Sequence, residues 1–172
     1  MTTFPLHSRD AIVAQARQWR GTPYHHQASR IGVGVDCIGL VRGVWRTLYG
    51  REPEKMPGYS RDWAEATGRE TLLEAARRHF VEVATADARV GDVLVFRYRP
   101  QTIAKHAGIL LEPLEGPSGK TAGEADRIRL GDLAARFSLI HAMEGASVTE
   151  VALTAWWRRR IAAAFKFPGT ID

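Results

Sequence analysis

The sequence predicts an α+β fold in which N-terminal helices pack on a mainly antiparallel sheet of about five or six strands. Three observations carry this. Apolar residues at helical spacing come first, before Val81. Short apolar runs rich in β-branched residues follow from Val81 onward. The spacings between those runs are short and hairpin-like, which argues against a doubly wound βαβ sheet. The 172 residues suit one domain, 1–172, with a real core.

Taken in order, Ser8 is a fitting N-cap for a first helix with Ile12, Val13, Ala16 and Trp19 on one face, stopped by Gly21 and Pro23. The segment Gly21, Thr22, Pro23, Tyr24 is extended or turned. A second helix runs over 37–49, capped by Asp36 and ended by Gly50. Its stripe of Ile38, Val41, Trp45 and Leu48 predicts burial. Residues 51–61 read as loop and 62–80 as helix, divided at Gly68. His79, near its end, reads as a dipole-favoured surface residue. Strands are expected at 81–83, 93–96, 106–111, 137–143, 148–153 and 161–167. Residues 97–105 read as a polar connection, 112–126 as a long exposed hairpin loop, and 156–160 as a short helical turn. Pro168 and Gly169 are expected to close the ordered domain.

The net charge of +5 suits nucleic acid, anionic membrane surfaces or anionic wall polymers. No zinc-finger, RNP or helix-turn-helix signature accompanies it, so a nucleic-acid partner is not expected. No run approaches the roughly 20 apolar residues that span a bilayer, so no membrane insertion is expected. The start, MTTFPLHSRD, lacks the basic and apolar regions of a secretory signal. Synthesis in the cytoplasm is therefore expected, with export left to something else.

The chain has one cysteine, Cys37, so no internal disulfide forms. It lies where a glycine-bearing loop meets the second helix, on the polar leading edge of an apolar run. A thiolate is favoured at a helix N-terminus, and the thiolate is the reactive form. Free cysteine is also among the most buried residue types, so this stretch alone leaves nucleophile and core filler equally open. His106, at the start of one strand, and His141, within the next, favour the nucleophile, because neighbouring strands can present both rings to the thiol. Nucleophile, base and orienter is the arrangement of the serine and cysteine triads. Tyr24 is a candidate donor to an oxyanion, while His25 and His26 read as a solvated loop. Gly39 permits close approach of another backbone or a substrate. No CxxC, HxxxH or carboxylate–histidine spacing suggests a metal, and no cofactor is expected.

The blocks at 21–24 (GTPY), 36–41 (DCIGLV), 91–96 (GDVLVF) and 106–109 (HAGI), followed by the strand with His141, resemble the NlpC-type cell-wall peptidases of the papain-like superfamily. They occur in family order across about residues 10–167. The GTPYHHQA and WWRRRIAAAF segments are similar to peptidases encoded with phage tail genes and phage-like gene-transfer particles. The resemblance implies a papain-like NlpC-type fold and a cysteine peptidase acting on peptidoglycan stem peptides, typically at the γ-D-glutamyl to diamino acid bond. It implies Cys37 as nucleophile, His106 as base, His141 as third residue, and Tyr24 with the Cys37 N–H at the oxyanion. Asp36, Ile38 and Gly39 would line the substrate site. Ile38 departs from the serine usual in the family. Phage tail proteins would be partners, and a tail would carry the enzyme to the wall. Another thiol amidase or acyltransferase chemistry on the same fold, or a non-catalytic tail or wall-binding module, are the alternatives.

Overall fold

A computed structural model of the chain describes residues 3–55, 58, 68–112, 128–132 and 136–171. Four helices and ten strands occur among these residues: β1 His7–Ser8, α1 Arg9–Arg17, β2 Ser29–Arg30, β3 Gly34–Val35, α2 Cys37–Tyr49, α3 Thr71–His79, β4 Val81–Val83, β5 Val93–Phe96, β6 His106–Leu111, β7 Ser138–His141, β8 Thr149–Ala152, α4 Ala155–Arg158, β9 Ile161–Lys166 and β10 Thr170–Ile171. The main sheet has the order β4-β9-β5-β6-β7-β8, and every neighbouring pair in it is antiparallel. This is the predicted α+β architecture, with β5 and β6 buried along their whole length.

Local chemistry explains the helices. The Ser8 hydroxyl accepts from the Ala11 N–H at 3.2 Å and caps α1. Asp36 caps α2 by accepting from the Gly39 N–H at 2.7 Å, and Gly50 ends it with φ of 78°. Both caps are the residues expected from sequence. Trp19, just past α1, packs its ring directly on Gly43 of α2. A Cβ at position 43 would lie 1.9 Å from Trp19 Cζ2, so only glycine allows this approach. Ile12, Val44, Trp45, Phe96, Ile109 and Phe165 belong to one hydrophobic cluster that joins these helices to the sheet.

Several elements differ from expectation. The third helix starts at Thr71, after the positive-φ Gly68; the part of it expected at 62–67 lies outside the described residues, as does 113–126 of the expected hairpin loop. His79 is not a free surface residue: its ring lies edge-on to Trp45 at 6.4 Å, and its Nε2 is 3.3 Å from Glu54. The chain past Gly169 is still used, because β10 pairs in parallel with β1. A small β2–β3 hairpin sits where sequence showed only a glycine-bearing loop.

Candidate active site

The site is assembled from the N-terminus of α2, the start of β6 and the end of β7. Asp36 fixes the first of these. Besides capping α2, its second carboxylate oxygen accepts from the Gln27 N–H at 2.7 Å, holding Gln27 at a positive φ of 64°. The carboxylate is 3 % exposed, so its oxygens serve the backbone more than the cleft. Cys37, the next residue, is partly exposed, with Sγ 4.0 Å from the Lys105 carbonyl oxygen. Lys105 directly precedes β6, so this contact brings the thiol to the start of the strand that carries His106.

Tyr24, Asp36, Cys37, Ile38 and His106 all line one cleft of about 200 Å³. His141 lies behind it: its Nδ1 is 3.0 Å from Nε2 of His106, and both rings are buried. Register explains the convergence. His106 faces Phe96 on β5, while β6 pairs with β7 so that His141 ends the adjacent strand. Gly39 is not on the cleft. A Cβ there would lie 2.0 Å from the Ala28 carbonyl oxygen, so its closeness serves the backbone and not a ligand. Ile38, 7 % exposed, stands between this cleft and a neighbouring apolar cavity of about 80 Å³ lined also by Val41, Trp45, Leu72 and Phe80.

Electrostatics hold the thiol and both imidazoles neutral. Burial, with the Asp36 carboxylate beside it, pushes the Cys37 thiol up to about 12; the N–H groups of Ala107, Ile38 and Cys37 act in the other direction and lose. The thiolate expected from the helix dipole is thus outweighed by desolvation. Burial and the neighbouring His141 push His106 down to about 3, and burial alone takes His141 to about 4. What meets at the cleft is a thiol and a neutral imidazole pair, chemically able to serve as a nucleophile with a base and a group that orients it.

Sequence reasoning missed the aromatic housing of these rings. Trp157 stacks on His106 with centroids 5.6 Å apart at 29° and meets His141 edge-on at 5.1 Å. Tyr98 lies 6.0 Å from His106 at 32° and lines the cleft, as do Met143 and Glu144. His26, expected in a solvated loop, also lines it, with Nδ1 3.7 Å from Asp36. The only sequence signals were an aromatic residue inside a polar connection and the adjacent tryptophans Trp156 and Trp157.

A model described as the NlpC/P60 family matches residues 21–163. Among solved structures, the NlpC/p60 domain of the peptidoglycan hydrolase SagA is similar at 22% identity and a TM-score of 0.53, over 92% of this chain and 98% of that one. An NlpC/P60 family protein from Bacillus cereus ATCC 10987 is similar at 17% identity and a TM-score of 0.59, over 96% of this chain and 42% of that one. No curated protein sequence matches the chain.

Proposed function

The chain belongs to the NlpC/P60 family, and from that membership and the cleft we propose that it is a cysteine peptidase of peptidoglycan stem peptides. The observation that carries the reading is the 3.0 Å His106–His141 bond in the wall of the cleft that holds Cys37. SagA, to which the fold is similar, is a peptidoglycan hydrolase. A net charge of +5 fits a polyanionic wall.

The His106–His141 contact supports the following roles. His106 engages His141 through Nε2, which leaves Nδ1 for the thiol proton. Neutral His106 then carries its proton on Nε2 and donates it to His141 Nδ1, which fixes the tautomer. Because thiol and imidazole are both neutral at rest, Sγ attacks the scissile carbonyl as its proton moves to His106 Nδ1. The Tyr24 phenol and the Cys37 N–H stabilise the oxyanion. His106 returns the proton to the leaving amine, and water, deprotonated by His106, hydrolyses the thioester. The bond cut is the γ-D-glutamyl to diamino acid amide, and the enzyme is carried on a phage tail or phage-like particle. Both of these rest on the motif resemblance, the second on GTPYHHQA and WWRRRIAAAF.

The test is digestion of purified peptidoglycan followed by mass spectrometry of the soluble products. Wild type is expected to release shortened stem peptides, and folded Cys37→Ala to lose about 10³-fold or more of the rate. A folded wild type that cuts no wall chemotype ends the reading.

A further inference from the structure

Tyr98 belongs to none of the motif blocks, yet it is built into the cleft wall. It follows β5 on the connection to β6, and that connection is braced. The Arg97 N–H donates to the Arg160 carbonyl at 2.9 Å, and Arg160 Nε donates to the Tyr98 carbonyl at 3.1 Å. The Arg160 guanidinium itself is fixed 3.8 Å above the Trp156 ring. The Tyr98 ring is wedged between His106, at 6.0 Å, and Trp156, at 6.5 Å. A side chain held from both its backbone and its ring keeps its hydroxyl in one place, which is the condition for electrostatic catalysis.

We propose that Tyr98 is a further catalytic residue, whose phenol O–H donates a hydrogen bond to the oxyanion formed on the carbonyl that Cys37 attacks, alongside the phenol of Tyr24. The proposal rests on the thiol acyl chemistry proposed above. In that step the Sγ–C bond forms, the carbonyl π pair moves onto oxygen, and the thiol proton passes to His106. Collapse returns the electron pair and expels the leaving group. The oxyanion lies within one bond of the carbon bound to sulfur, and Tyr98 lines the same cleft as Cys37 and Tyr24. Burial, with Cys37 and Tyr24 adding to it, pushes the Tyr98 phenol up to about 12, so it stays a donor at any working pH. A purely structural tyrosine, covering the His106 ring, would need the ring and not the hydroxyl.

Tyr98→Phe separates the two. The probe is p-nitrophenyl acetate, whose attack by Cys37 forms an oxyanion without needing wall specificity, read as the burst of p-nitrophenolate absent from Cys37→Ala. Iodoacetamide alkylation of Cys37 is the control, since it forms no oxyanion. Tyr98→Phe is expected to slow the burst about 10- to 100-fold and to leave alkylation within about twofold. A burst within about twofold of wild type overturns the proposal. So does a parallel fall in alkylation, which would mean that Tyr98 acts through packing. A wild type with no Cys37-dependent burst overturns it together with the thiol chemistry. A burst without stem-peptide cleavage removes only the peptidase reading.

Discussion

A hydrogen bond between two imidazoles needs a proton on one facing nitrogen and none on the other. The 3.0 Å contact between His106 Nε2 and His141 Nδ1 meets this only while the pair is not doubly charged. Burial lowers both rings, to about 3 and about 4, from an unfolded value near 6.5. The folded state therefore binds fewer protons than the unfolded state below pH 6.5, and stability falls as pH drops from 6.5 toward 4. Urea denaturation at pH 7 and pH 5 is expected to show the loss as a lower midpoint at pH 5, and His141→Asn to show a smaller one; equal midpoints at the two pH values would contradict the neutral pair. Asn can still accept from His106 Nε2–H, so His141→Asn is expected to keep most of the hydrolytic rate while His141→Ala loses about 10²-fold. Cys37, His106 and His141 were legible because each is a chemically distinctive type at the edge or within a patterned element. Trp157 and Tyr98 were not, because an aromatic ring buried from a short turn or a connection leaves no period to read.

Two aspartates show how elements are tied to the site. Asp36 joins the first turn of α2 to the loop at Gln27, and Asp92 joins the turn before β5 to α1. Arg9 Nη1 donates to Asp92 at 2.7 Å and to the Val90 carbonyl at 2.8 Å, and both side chains are excluded from water. Burial outweighs the Arg9 charge and pushes the Asp92 carboxyl up, as expected where desolvation is the larger effect. Removing one partner strands the other, so Asp92→Ala is expected to cost about 3–5 kcal/mol, read as a shift of the urea midpoint. Asp36→Ala loses a cap and a loop tether and is expected to cost about 1–2 kcal/mol. The second helix was legible to its end residues, because an acidic cap, a buried stripe and a closing glycine coincide there. Strands β1, β2, β3 and β10 were not, since two residues cannot display alternation and their pairing is decided by distant chain.

At the scale of the molecule, β9 inserts between the edge strand β4 and β5, so the last long strand joins the sheet that carries His106. The order of helices and strands revealed the class, whereas this insertion is a long-range pairing with no local trace. Trp19, Trp45 and Trp157 all belong to the same core cluster, so urea unfolding followed by tryptophan fluorescence and by far-UV circular dichroism is expected to coincide. Separated transitions would show that helices and sheet do not unfold together. A cleft joining α2, β6 and β7 works as a thiol peptidase only if Cys37 carries the acyl group. Acid-quenched protein incubated with a stem peptide, read by intact mass and peptide mapping, tests this directly. The expected result is an adduct with the mass of the acyl fragment, mapped to Cys37 and absent from Cys37→Ala. Cleavage that continues in Cys37→Ala would contradict the account.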